Sequence, residues 1–99
     1  MSDAGIARAS LATHPEADLE DPRVLETVVA AARGIAERTG VEIVDIEWRS
    51  RTLAVGVRGP EITAIGLLAE LRRSTDRWHR DRGGGPLWQD GDARRGPDA

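Results

Sequence analysis

The sequence predicts an α+β fold, a two-layer α-β-β-α(-β) domain in which two helices pack on a small, mainly antiparallel sheet. Three observations lead to this prediction. Two segments carry apolar residues at helical spacing, two alternating β-branched runs lie between them, and a short polar link joins the two runs. With 99 residues, the chain is long enough for one domain of ordinary size.

The first helix is predicted over residues 22–39. Asp21 is suited to accept a backbone N–H as the N-cap, and Pro22 fits the first helical position, where the amide would have no partner. Gly40 stands where a glycine commonly ends a helix. The apolar residues between these signals form one stripe, which consists of Val24, Leu25, Val28, Val29, Ala32, Ile35 and Ala36.

A β-hairpin is predicted to follow this helix. Residues 41–48 and 53–58 are the two strands, and the polar residues 49–52 are the link between them. Gly59-Pro60 ends the second strand. Alternation places these residues on one buried face: Val44, Ile46 and Trp48 in the first strand and Leu53, Val55 and Val57 in the second.

The second helix is predicted from about Glu61 to about Arg80, which extends the α-β-β-α domain over residues 21–82. Arginines are concentrated in its last turns, where positive charge is favourable next to the helix C-terminus. Its predicted apolar stripe is Ile62, Ile65, Leu68, Leu71 and Trp78, with Leu67 alongside.

Two extensions flank the predicted domain. Residues 1–20 are acidic and are predicted to be a flexible N-terminal arm, whereas residues 83–99 are rich in Gly and Pro and are predicted to be a mobile tail. Within the tail, residues 87–89 are a candidate third strand that folds back on the domain. The alternative is that Leu87 and Trp88 stand free as an anchor for a partner, because tryptophan is enriched at interface centres.

Composition removes several kinds of chemistry. The chain has no cysteine and its 14 basic residues are all arginine, which excludes disulfides, thiolate-held metals, Schiff bases and P-loop lysines. The absence of Lys, Tyr, Phe and Asn is typical of a bacterium with a GC-rich genome. No apolar stretch approaches the ~20 residues that cross a bilayer, and the N-terminus lacks the pattern of a secretory signal. We therefore expect a cytoplasmic protein with no membrane partner.

Catalytic groups are sparse, and we expect no enzyme, no cofactor and no metal. His14 and His79 are far apart in the sequence and are expected to be solvated surface residues. Asp45 and Glu47 share a strand face, but charged alternation on the exposed face of a strand accounts for both.

A cluster of arginines at the end of the second helix is the candidate partner-binding site, together with Leu87 and Trp88. Guanidinium groups bind carboxylates and phosphates with two parallel hydrogen bonds and also stack on bases. Three interpretations remain open: a protein partner or the chain's own acidic arm, nucleic acid with Trp78 as a stacking surface, or a solvated face. The arginines of this cluster are Arg72, Arg73, Arg77 and Arg80.

The central part of the chain resembles a known family. The runs 41–47 and 53–59 and the helical stretch Glu70-Leu71-Arg72-Arg73 are similar to the C-terminal domain of NifU-type iron–sulfur scaffold proteins, over about residues 24–75. The resemblance implies an α-β-β-α domain with a role in a cofactor-dependent enzyme system. That family carries a C-x-x-C pair directly after the hairpin glycine, whereas this chain has Gly59-Pro60-Glu61 there. The resemblance therefore implies a scaffold without its metal, and no cluster ligand carries over.

A second family is similarly close. Residues 40–48 and Glu61-Ile62-Thr63 resemble the N-terminal domain of the ribosome maturation factor RimP, whose second, barrel-like domain this sequence lacks. From the NifU-type resemblance, the absent cysteines and the two extensions we expect a non-enzymatic accessory, assembly or small-subunit protein that binds another protein, a larger enzyme complex or a second copy of itself. The alternative is an RNA- or ribosome-associated module that uses the arginine cluster.

Overall fold

The computed structural model describes residues 5–15, 17 and 21–89. Its two helices and three-stranded antiparallel sheet confirm the predicted α+β class. In chain order, the elements are β1 (Ile6–Ala12), α1 (Pro22–Thr39), β2 (Glu42–Arg49), β3 (Thr52–Arg58) and α2 (Glu61–Asp81).

The sheet has the strand order β1-β3-β2, so the third strand comes from the N-terminal segment. Residues 1–4, 16 and 18–20 of the predicted flexible arm lie outside the described part of the chain. Residues 6–12 form this strand, so the prediction of a flexible arm is wrong for them. They pair with β3 over their whole length, from Ile6 opposite Arg58 to Ala12 opposite Thr52. Pairing satisfies the backbone groups along β3, which would otherwise be an edge strand.

The first helix has the predicted bounds because both end signals act as expected. The side chain of Asp21 accepts the backbone N–H of Arg23 at 2.9 Å, and Pro22 occupies the first turn. Gly40 has a φ of +79° and donates its N–H to the carbonyl of Ala36. Because a left-handed residue is favourable chiefly for glycine, the helix ends at this position.

The β2–β3 hairpin is tighter than predicted, because Arg49 and Thr52 are the last paired residues and only two residues form the turn. Ser50 and Arg51 both have positive φ, 52° and 63°. Non-glycine residues in this region cost free energy, so surrounding contacts must hold the turn. The Nη2 atom of Arg51 supplies such contacts, since it lies 2.9 Å from the carbonyl oxygens of both His14 and Ala17.

One irregularity in β2 changes the predicted face pattern. A β-bulge lies between Ile43 and Asp45, so Ile43 stands opposite Val57 and packs on the core. The prediction for Ile46 and Trp48 is confirmed, since both pack on the core, whereas Val44 does not belong to this packed set.

The core lies between one face of the sheet and the two helices. β3 is the central strand and contributes Leu53, Val55 and Val57, all fully buried. The α2 stripe differs from the prediction at its first position, because Ile62 is 72% exposed. The buried residues of α2 are Ala64, Leu67, Leu68, Leu71, Thr75 and His79.

Candidate protein-binding surface

Two of the four arginines in the predicted cluster hold parts of the protein itself. The Arg72 guanidinium donates to the backbone carbonyl of Gln89 at 3.1 Å. The Arg80 side chain donates to the carboxylate of Asp76 at 2.8 Å, and these two residues, one helical turn apart, form an ion pair. Both arginines thus stabilise α2 or the segment that packs on it, although each keeps its positive charge.

Arg73 and Arg77 form the part of the cluster that is open to a partner. They lie one turn apart on an exposed face of α2, and neither has an ion-pair or hydrogen-bond partner within the described part of the chain. Like charges at this spacing repel one another by roughly 0.2–0.5 kcal/mol, so an anion that contacts both is favoured. We call Arg73 and Arg77 the basic face.

Leu87 and Trp88 belong to the core and are not exposed anchors. Leu87 is 0% and Trp88 2% exposed. The Trp88 indole is stacked on that of Trp48, with ring centroids 6.0 Å apart, and its Nε1 donates to the Thr75 hydroxyl at 2.9 Å. This segment therefore folds back on the domain, as the first of the two alternatives predicts. Leu87 and Trp88 are not part of the candidate binding site.

Backbone contacts fix the same segment against the open edge of β1. The carbonyl of Ala12 accepts the N–H of Gln89, and the carbonyl of Leu87 accepts the N–H of His14, each at 2.9 Å. Trp88 forms one isolated antiparallel bridge with Thr13, so the expected third strand is reduced to a single bridge. The predicted mobile tail is corrected for residues 83–89, and residues 90–99 lie outside the described part of the chain.

His79 is buried, so the expectation that it is solvated was wrong. It is 8% exposed, and its Nδ1 lies 2.8 Å from the carbonyl oxygen of Gly85. The ring packs so closely on Gly84 that a Cβ at this glycine would be 2.5 Å from the imidazole Cε1. His79 therefore has a structural role, because it holds the turn after which the chain runs back along α2.

An ion pair crosses the face of the sheet that points away from the helices. The Arg8 guanidinium donates to Asp45 at 2.6 Å, and this hydrogen bond lowers the pKa of Asp45 and raises that of Arg8. The pair passes over Gly56, where a Cβ would lie 3.0 Å from atoms of both side chains. Because its pKa is lowered, Asp45 is a carboxylate at neutral pH and is not suited to act as a general acid.

Two open grooves flank α1. One lies between α1 and α2, has a volume of about 560 Å³ and is crossed by the Arg38–Glu70 ion pair. The other lies between α1 and β2, has a volume of about 480 Å³ and is lined by Leu25, Val29 and Trp48 among others. We call the second the α1–β2 groove. Within the described residues, no group of three or more His, Cys, Asp or Glu side chains is arranged to hold a metal ion.

A contact at the end of α2 ties the two helices together. The Arg82 guanidinium lies 4.8 Å from the centre of the Trp78 ring and donates to Asp21, the N-cap of α1, at 3.3 Å. This ion pair joins Asp21 and Arg82, which lie outside the predicted acidic arm (residues 1–20) and outside the arginine cluster. The Trp78 ring is therefore already covered by a cation of its own chain.

Neither a protein-family model nor a curated protein matches this sequence. Neither α1 nor α2 is apolar enough over a sufficient length to cross a membrane.

Proposed function

We propose that this protein is a non-enzymatic accessory or assembly protein that binds an acidic surface of another protein through the basic face of α2. The observation that carries the proposal is the pair of exposed guanidinium groups of Arg73 and Arg77 on one side of a well-packed helix, neither of which has a partner among the residues that the structure describes. Because α2 is anchored by six buried residues, the two charges are presented without the entropic cost of ordering a loop.

The resemblance to NifU-type scaffolds supports a role in a cofactor-dependent enzyme system. The junction at which those scaffolds carry two cysteines is Gly59-Pro60-Glu61 in this chain, where the hairpin leads directly into α2. Because this junction has no thiolates, the domain lacks the ligands that would hold an iron–sulfur cluster there. The role that we propose for it is to hold proteins together.

Nucleic acid is the second candidate, since the arginines also suit phosphates and the RimP resemblance favours RNA. Binding of single-stranded RNA typically combines cationic side chains with exposed aromatic rings on which bases stack. Here Trp88 is buried, Trp78 lies beneath Arg82, and Trp48 is stacked on Trp88. The basic face thus has charge but no uncovered aromatic ring beside it, which favours carboxylates of a protein over bases.

Copurification from the source organism tests the proposal. The tagged chain is isolated from nuclease-treated lysate as wild type, as the R73E/R77E double variant, and as R23E, a matched control with an exposed arginine on α1. We expect a specific protein to copurify with wild type and R23E and to be lost with R73E/R77E. Its affinity should fall at least about tenfold for the double variant, equivalent to about 1.4 kcal/mol.

Two results contradict the proposal. One is retention of the same protein by R73E/R77E, since the basic face would then have no part in binding. The other is recovery of RNA in place of protein when nuclease is omitted, with binding that weakens steeply as salt is raised.

A further inference from the structure

We propose that two copies of this protein associate through their β2 strands, which extends the sheet across a two-fold axis into one of six strands. The β2 edge lies beside α1, whereas the basic face is on α2, and association through β2 does not depend on the proposed function. The two edge strands of the sheet are β1 and β2.

The two edges differ in whether another segment of the described chain covers them. The end of β1 is covered by the segment around Trp88, through the backbone contacts of Ala12 and His14 described above. Along β2, the described residues provide no strand on the side away from β3. An edge strand of eight residues offers unpaired N–H and C=O groups that a further strand can satisfy.

An apolar groove runs beside this free edge. The α1–β2 groove is lined mainly by the apolar side chains of Leu25, Val29, Ala30 and Trp48, with Glu26 and Arg33 beside them. A strand edge with an apolar groove next to it can bind another chain through both backbone hydrogen bonds and side-chain burial. The ten C-terminal residues, 90–99, contain no large apolar side chain that would fill this groove.

A second copy fits this edge because β2 is complementary to itself. In an antiparallel pair centred on Glu47, Ile46 stands opposite Trp48 of the second copy on the inner face, an aliphatic–aromatic pair that stabilises sheets. On the outer face, Asp45 stands opposite Arg49 of the second copy. Because of the two-fold symmetry, the dimer contains two of these pairs. These two opposite-charge pairs flank the two Glu47 side chains and offset their repulsion.

The register follows from the faces that β2 already has. Ile46 and Trp48 pack on the core, whereas Asp45 pairs with Arg8 on the other face. A slip of one residue would place core-facing residues opposite charged ones, so it is disfavoured. Pairing centred on Glu47 keeps each face consistent across both copies and brings the two α1–β2 grooves together.

The oligomeric state and a cysteine cross-link test this arrangement. Because the chain has no cysteine, E47C introduces the only thiol, and two such thiols would meet at the two-fold axis. Opposed Cα atoms in an antiparallel pair are roughly 4.5–5.5 Å apart, a separation that a disulfide spans. S74C, at an exposed position on α2, is the matched control.

We expect sedimentation of the full chain to show twice the 10.7 kDa monomer mass, with E47C oxidising to a covalent dimer much faster than S74C. L25E and R49E should each raise the dimer dissociation constant at least about tenfold, whereas R23E should not. R49E changes a side chain that is 78% exposed, so its effect does not depend on disturbing the fold.

Three results would overturn the proposal. They are a wild type that stays monomeric at every concentration, a dimer that neither L25E nor R49E weakens, and an E47C variant that cross-links no faster than S74C. Since none of these measurements involves Arg73 or Arg77, their outcome is separate from that of the copurification experiment.

Discussion

Replacement of Trp88 tests whether the segment after α2 belongs to the folded domain. The side chain is 2% exposed and stacks on Trp48. A buried tryptophan removes about 150–250 Å² from water, which at about 25 cal/mol per Å² stabilises the fold by about 4–6 kcal/mol. Since W88A retains a methyl group and leaves a cavity, we expect it to lower the free energy of unfolding by about 3–5 kcal/mol.

A loss of this size is a large part of the stability of a small domain, which is typically about 5–15 kcal/mol. Urea unfolding followed by far-UV circular dichroism measures it without relying on tryptophan fluorescence. A loss below about 1 kcal/mol for W88A would refute the packing described here, since an exposed tail residue contributes little to stability.

A pair of Trp-to-Phe variants isolates the hydrogen bond at the same site. W88F removes the Nε1–H donated to Thr75, whereas W48F removes an Nε1–H that is buried without an acceptor among the described residues. We expect W88F to cost about 1 kcal/mol more than W48F, the net worth of one hydrogen bond. Equal losses would mean that the bond to Thr75 contributes nothing.

Three other substitutions test separate parts of the fold by chemical unfolding. S50N should raise stability by about 0.5 kcal/mol, because asparagine tolerates the positive φ of this turn position better than serine; a loss would contradict the turn geometry. G84A should cost about 1–3 kcal/mol, because its Cβ would collide with the buried ring of His79; a neutral result would place the ring elsewhere. D45N should be less stable than wild type at neutral pH. Because Arg8 lowers the folded-state pKa of Asp45, this difference is present above the unfolded-state pKa and should vanish as the pH falls through the lower folded-state value; a difference that persists in acid would contradict the ion pair.

Local signals allowed α1 and the hairpin to be predicted from the sequence. Asp21-Pro22 and Gly40 define the ends of α1 through backbone groups within one turn, so no distant contact is needed to interpret them. The alternation of β2 fixed Ile46 and Trp48 on the core face, but the bulge at Val44 depends on pairing with β3 and leaves no local signature.

The first strand was missed because its residues carry a weak strand signal. Alanine occupies three of the seven positions of Ile6–Ala12, and alanine is depleted in strands. The strand forms because Ala9 and Leu11 complete the core and β3 needs a second neighbour, which are both tertiary effects.

The candidate site was predicted in part for a similar reason. Spacing alone placed Arg73 and Arg77 on one helical face, and the structure leaves them exposed. What spacing does not show is that the chain returns along α2, which buries Leu87 and Trp88 and engages Arg72 through the carbonyl of Gln89.

Site-specific photocross-linking tests most directly whether the basic face binds a protein. A photoreactive amino acid replaces Ser74, which is exposed and lies beside Arg73, and in a second variant it replaces Arg23 on α1. Irradiation in the source organism should join position 74 to one acidic protein and leave position 23 without that adduct. Adducts to nucleic acid at position 74, or the same protein adduct at both positions, would contradict the proposed function.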